Sequence, residues 1–352
     1  MDIRTIFDLA VKHSASDIHI QAGTPPILRI HKKLIPIDAP PLTASDTREM
    51  IYQILTDKQK EAFEKNLELD FSYGLEGLTR FRVNIFWQRN SVAGVFRRIP
   101  YEIPDLDSLG VPRVAHSIIK EERGLILVTG PTGHGKSTTL AAMIDEINKN
   151  EYKNIITIED PIEYLFKHKR SIIVQREVGT DTLSFPLALR SSLREDPDII
   201  LVGEMRDLET IATALTAAET GHLVFATLHT NSASQSIDRI VDIFPPHQQE
   251  QVKTQLSSVL LAIFSQQLIP KRSGDGLVLA SEVLIATPAV RTLIREGKTH
   301  LIPSTLQTSA GIGMQSMEKS LQDLYVRGLI DRDTALRYAF DKKFMSDLLE
   351  RV

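Results

Sequence analysis

The chain has 352 residues, which at roughly 150 residues per domain predicts two domains. Hydrophobic residues make up 42% and charged residues 24%, so a disordered or fibrous chain is excluded and a full core is affordable. With 41 basic against 45 acidic residues the net charge is −4 and no global positive field invites nucleic acid, while the absence of cysteine excludes disulfides, zinc–thiolate sites, iron–sulfur clusters and thiol nucleophiles.

The first residues, Met1-Asp2-Ile3-Arg4, lack the basic-then-apolar signature of a signal peptide. Val259–Phe264 is the longest apolar run, far short of the roughly 18 residues a membrane span needs, so a cytoplasmic protein without a membrane span is expected. The first hundred residues read as a small α+β unit. Ile3, Ile6, Phe7, Ala10 and Val11 recur at helical spacing, and Asp17–Gln21 and Ile27–His31 alternate like strands. Thr43-Ala44-Ser45-Asp46 resembles a capping box and opens a helical stretch predicted to reach Asn66. An antiparallel series follows at Glu68–Tyr73, Leu78–Gln88 and Val92–Arg98. In its middle strand Phe81, Val83, Ile85 and Trp87 share one face, and Arg80, Arg82 and Asn84 share the other. That arginine face either meets something anionic or is merely solvated.

Prolines 100, 104 and 112 and Gly110 give Ile99–Pro112 the composition of a stiff linker. Beyond it, short apolar runs at Gly124–Thr129, Asn154–Ile158, Ile172–Gln175, Ile199–Val202 and Leu223–Thr227 are mostly separated by helix-like segments. This pattern predicts a parallel sheet covered on both faces. From Pro246 onward the chain reads as mainly helical, apart from Leu277–Ile285.

The strongest chemical signal is Gly130-Pro131-Thr132-Gly133-His134-Gly135-Lys136-Ser137, a gapless G-x-x-x-x-G-K-[ST] between a predicted strand and a helix over Ser137–Ile147. Gly130, Gly133 and Gly135 let backbone amides curl around phosphates, Lys136 spans the β- and γ-phosphates, and Ser137 is placed to ligate Mg²⁺. Thr132, His134 and Thr138 complete the set of candidate ATP-binding residues, although His134 fills a variable position of the motif. Asp196–Val202 leads through Gly203 to Glu204, a strand-end acid suited to activating water. Glu159, Asp160 and Glu163 follow another strand and are expected at the same site, because ligands of such sheets gather at the carboxyl ends of strands. His222 and His229 bracket the run Leu223–Leu228; they are candidates for hydrogen bonding near phosphate or across a subunit boundary, or else structural, and no metal-binding cluster accompanies them.

These motifs, GPTGHGKST, TIEDPIEY, DPDIILVGEMRD and TGHLVFATLHT, occur in the order found in the secretion-superfamily hexameric ATPases, which the chain resembles over essentially its whole length. Asp17-Ile18-His19-Ile20, Arg80–Asn84 and Ala289–Glu296 extend the resemblance toward the type IV pilus retraction subfamily. His134 departs from the usual serine, and Val290 and Thr292 from the usual isoleucine and asparagine. The resemblance implies an α/β fold: a PAS-like α+β domain over 1–99, a linker over 100–112 and a RecA-like P-loop ATPase domain over 113–352. It implies catalytic roles for Glu204, Glu163, Glu159, His222 and His229, with Arg80, Arg82 and Arg97 of the first domain reaching the phosphates. It also implies ATP and Mg²⁺ as cofactors, a homohexameric ring, and retraction of the pilus in twitching motility. The expected partners are a membrane platform protein at the inner-membrane base of the pilus and a retraction paralogue. Ala289–Glu296 is expected to couple turnover to retraction, with Ala289, Leu293 and Ile294 packed inward and Arg291, Arg295 and Glu296 on other faces.

Rival readings remain. A paralogue of the retraction ATPase shares most of the same motifs, whereas a nucleotide-binding scaffold that does not turn over is opposed by the complete set of acids. A pilus-assembly or type II secretion ATPase shares the nucleotide motifs, but such proteins usually carry a tetracysteine zinc element and a longer N-terminal extension. A nucleic-acid motor on the same core has one local encouragement, Lys167-His168-Lys169-Arg170, a run that is more often a solvated loop.

Overall fold

The computed structural model describes residues 2–30, 33–75, 79–99 and 102–351. Met1, His31, Leu78, Pro100 and Val352, each used above as part of a predicted element or boundary, lie outside the described residues. The chain divides into two compact units, one of residues 1–102 with Glu163–Leu165 and one of residues 103–162 with 166–352.

The first unit holds strands β1 (Asp17–Ile20), β2 (Ile27–Ile30), β3 (Lys33–Pro36), β4 (Glu68–Leu75), β5 (Thr79–Gln88) and β6 (Ser91–Ile99), in the order β3-β2-β1-β6-β5-β4. Every neighbour is antiparallel. The helix Ile3–Lys12 buries Ile3, Ile6, Phe7 and Ala10 against one face. There Phe7 stacks on Phe81 at 4.7 Å and meets Phe96 edge-on at 5.3 Å. The predicted single helix from Thr43 is two, Ala44–Tyr52 and Asp57–Asn66. Thr56 forms a second capping box with Gln59, restarting the helix where one continuous run was expected. Strand β3 was not anticipated; its four residues are all exposed and carry no alternation signal.

The opposite face of β5 carries the arginines. The register places Ser72, Arg82, Arg97, Asp17 and Arg29 in one cross-strand row. Asp17 is buried and takes Arg97 Nε at 2.9 Å and Arg29 Nε at 3.6 Å, while Arg82 is exposed.

The second unit holds β7 (Gly124–Thr129), β8 (Asn154–Glu159), β9 (Ile172–Glu177), β10 (Ile199–Val202), β11 (Leu223–Leu228), β12 (Leu260–Pro270) and β13 (Leu277–Ile285). Their order is β13-β12-β7-β11-β10-β8-β9, parallel throughout except for β12 against β13. Both faces are covered. Helix Lys136–Asn150 packs Leu140, Met143, Ile144 and Ile147 with Ile126, Val128 and Phe225 on one side. On the other, helices Leu208–Glu219, Ala233–Asp242 and Pro246–Val259 bury Ile211, Ile237 and Leu256 with Leu127, Val202 and Val224. Helices Met317–Val326, Arg332–Tyr338 and Lys342–Leu349 form a separate core with Ile269 and Ala280 of the β12–β13 pair.

Three expectations need correction here. Residues 103–112 are no free linker: Leu106 and Val111 are buried in the core of the second unit, and Leu106–Leu109 is a helical turn capped by Asp105. The region after Pro246 contains an eleven-residue strand, β12, because the helix ending at Val259 passes straight into extended backbone at Leu260, without a loop to mark the change. In helix Pro288–Arg295 the inward residues are Val290, Leu293 and Ile294, whereas Ala289 is exposed. Arg291 is not held out for a partner. Its Nε donates to Ala286 O at 2.9 Å and its Nη1 to Ser257 O at 2.6 Å and Ser258 O at 2.5 Å, so the guanidinium satisfies carbonyls at the end of the preceding helix.

Candidate active site

The carboxyl edge of the parallel sheet gathers the chemistry, as the winding of such sheets requires. The loop Gly130–Gly135 leaves the end of β7 and turns into helix Lys136–Asn150. That helix has Gly135 at its N-cap with φ +81° and no side chain capping it. Two other helices on this sheet begin differently: Asp207 and Ser232 cap theirs by accepting from Thr210 N–H and Gln235 N–H. A helix start without a side-chain acceptor, wrapped by glycines, offers its dipole to an anion. Lys136 is buried at the loop and its Nζ donates to Gly130 O at 2.7 Å and Pro131 O at 3.0 Å. Ser137, at the first turn, places a hard hydroxyl oxygen beside the loop. Among the described residues no group of three or more His, Asp or Glu side chains could hold a metal.

Glu204 follows β10 by two residues. Gly203 sits tightly between them: a Cβ there would lie 3.1 Å from Ile158 O and 3.3 Å from Glu159 Cα on β8. Thr227 Oγ1 on β11 donates to Gly203 O, which pins the turn. The Glu204 carboxylate is thus presented from a rigid edge. Its Oε2 lies 2.6 Å from Arg206 Nη2 and its Oε1 lies 3.1 Å from His229 Nε2. The other ring nitrogen of His229, Nδ1, lies 3.3 Å from Thr132 Oγ1 of the phosphate loop. With Nε2–H donating to the carboxylate, Nδ1 of the neutral ring accepts from the threonine hydroxyl. His229 therefore links the acid to the loop. Burial pushes the Glu204 carboxyl up, but Arg206 and His229 together outweigh it and hold the group below its usual 4.5. The carboxylate is ionised at neutral pH, the state a base needs.

The remaining candidates are placed differently. His222 precedes β11 while His229 follows it, so six strand residues, roughly 20 Å, separate them. His222 lies at the opposite edge of the sheet from the phosphate loop, and its Nδ1 donates to Ala217 O at 2.9 Å; this is the structural alternative for that histidine. Glu159 ends β8, where its Oε1 accepts from Thr157 Oγ1 at 2.6 Å and Gln175 Nε2 at 3.3 Å. Glu163 is exposed and groups with the first unit, so the two acids expected side by side are divided between units. Arg80, Arg82 and Arg97 also belong to the first unit. His134 commits Nδ1 to β12, accepting from Leu268 N–H at 3.0 Å. The basic run is tied down: Lys169 pairs with Asp145, Arg170 donates to Asn150 O, and His168 accepts from Ile173 N–H. Arg206 was not singled out from sequence. Its one signal is its position two residues after Glu204, which has no periodic meaning on a turn.

Residues 1–307 match the family described as type II/IV secretion system protein. The chain is 51% identical over 335 residues to the type IV pilus retraction ATPase PilT of Pseudomonas aeruginosa, covering 95% of this chain and 97% of that one. It is 42% identical over 339 residues to the type IV pilus ATPase PilU of the same organism, covering 96% and 89%. Its structure matches the crystal structure of the pilus retraction motor PilT with bound ADP at a TM-score of 0.92 and 52% identity, over 100% of both chains. The second unit has the RecA-like fold of the secretion ATPases, and the chain belongs to the type II/IV secretion system protein family.

Proposed function

We propose that the chain is a Mg²⁺-dependent ATPase that powers retraction of a type IV pilus. The observation that carries this reading is the near-complete likeness to a retraction ATPase, 51% over 95% of the chain against 42% for the PilU paralogue, joined to an intact phosphate loop facing an ionised Glu204.

The residues divide the work. The amides of the loop and the start of helix Lys136–Asn150 bind the phosphates, and Lys136 exchanges its carbonyl partners for phosphate oxygens. Ser137 would hold Mg²⁺ on the protein side, and the ion would supply charge neutralisation at the phosphates. Glu204 takes the proton of the attacking water, and His229 orients that carboxylate against Thr132. Arg80, Arg82 and Arg97 are offered as the cations that recognise phosphate from the PAS-like first domain, and Glu159 and Glu163 as auxiliary acids, on the family resemblance. The same resemblance supports a homohexamer acting at the inner-membrane base of the pilus on a platform protein.

A clean deletion tests the reading. Surface pili should accumulate while twitching motility stops; loss of pili altogether would instead assign the chain to assembly.

A further inference from the structure

The phosphate loop carries a histidine with a defined partner. Strand β7 ends at Thr129, paired with Ser265 of β12. Beyond that point β12 stays paired with β13 as far as Pro270, but on its other side it has run past β7, so an amide turned to that side meets no strand carbonyl. Leu268 lies three residues further on, partly buried, and its N–H donates to His134 Nδ1 at 3.0 Å. The imidazole nitrogen takes the place of a missing strand carbonyl, and an amide so placed costs free energy when left unpaired. The surroundings are close-packed. A Cβ on Gly130 would lie 2.4 Å from Gln266 O, and one on Gly135 would lie 3.5 Å from Leu268 Cδ1. Gln266 Nε2 donates to Thr139 Oγ1 at 2.8 Å, on the helix that follows the loop. Both ends of the loop and the ring near its middle are thus seated on Gln266–Leu268.

We propose that His134 is a positioning residue that ties the phosphate loop to β12, so that nucleotide affinity in this chain weakens when the ring takes up a proton. The proposal rests on the loop being the nucleotide site. The ring can accept from Leu268 only as a neutral imidazole with its proton on Nε2; an imidazolium would present N–H to N–H. Burial, and then the Lys136 ammonium, hold the ring below its ordinary 6.5. The tie is therefore made at neutral pH and is lost as the pH falls through that lowered value. Lys136 is the charged group that acts on the ring from its own loop and helix, and Gln266, Gln267 and Leu268 on the β12 side carry no titratable group.

The test compares the full-length wild type with His134→Ala and His134→Asn, whose Oδ1 can accept the Leu268 amide but does not titrate. A fluorescent ADP analogue is titrated from mildly alkaline pH down to about pH 5.5, across the range where histidine changes charge. At the alkaline end His134→Ala should bind roughly fivefold more weakly than the wild type, with His134→Asn between them. The wild-type advantage over His134→Ala should shrink toward none as the pH falls, while that of His134→Asn stays constant. Hydrogen exchange at Leu268, measured without nucleotide, should be faster in His134→Ala than in the other two. A wild-type advantage independent of pH, an affinity that strengthens on acidification relative to His134→Ala, or unchanged exchange at Leu268 would overturn the proposal. Failure of the wild type itself to bind would refute the nucleotide reading instead, and the exchange measurement tells that apart from failure of the tie.

Discussion

Replacing Glu204 by glutamine removes one chemical property and leaves the shape. The amide keeps one carbonyl oxygen, which can still accept from His229 Nε2, now 3.1 Å from Oε1. Its NH₂ then faces Arg206 donor to donor, across what is a 2.6 Å ion pair in the wild type. The Arg206 side chain is 72% exposed, so the guanidinium can turn to water and the loss is that of a surface pair, about 0.5 kcal/mol. The fold should survive and nucleotide binding should change by no more than roughly twofold. Loss of the base is a far larger effect. Positioned general bases contribute roughly 10²- to 10⁴-fold, equivalent to about 3–5 kcal/mol on the barrier. Phosphate release under single-turnover conditions should therefore slow by at least about 100-fold, while a fluorescent ATP analogue still binds and the melting temperature holds. Release at the wild-type rate from a folded Glu204→Gln protein would refute Glu204 as the water-activating acid. Equal loss of binding and turnover would refute the separation of roles.

Glu204 is held below its usual 4.5, so the activity it supports is present above that value and lost as the pH falls through the lowered one; Arg206→Gln removes a major lowering influence and should move the acid limb of kcat to higher pH. An acid limb that stays in place would show that another group sets it. His229→Ala should depress kcat more than it raises KM, because the ring orients Glu204. His222→Ala should leave nucleotide affinity near wild type and show its effect in thermal melts, as expected of a ring bonded to Ala217 O at the far edge of the sheet. Arg291→Met should lower stability by about 2 kcal/mol in denaturant melts, with Arg291→Lys recovering only part, since an ammonium cannot fork across three carbonyls.

The parallel sheet was legible in the chain because its strands are buried on both faces and read as unbroken apolar runs, Gly124–Thr129 and Ile199–Val202 to the residue. The phosphate loop was legible for a different reason: a backbone that must curl around phosphate needs its glycines and lysine at fixed spacing within eight consecutive residues. The alternation of β5 likewise announced an arginine face. All of these are local patterns.

The rest depended on contacts between segments distant in the chain. Strand β12 was hidden inside an apolar run continuous with the helix before it, and with it went the seat of the loop on Gln266–Leu268. His222 and His229 look equivalent in sequence, yet a parallel strand between them sends one to each edge of the sheet, and only one meets Glu204. Arg291 reads as a surface charge until the helix Pro246–Val259 brings carbonyls within its reach. Glu159 and Glu163 stand four apart, yet the chain assigns them to different units. Spacing along the chain carries the chemistry of single elements, but hydrogen bonds across tens of residues are made only when the sheet order brings their ends together.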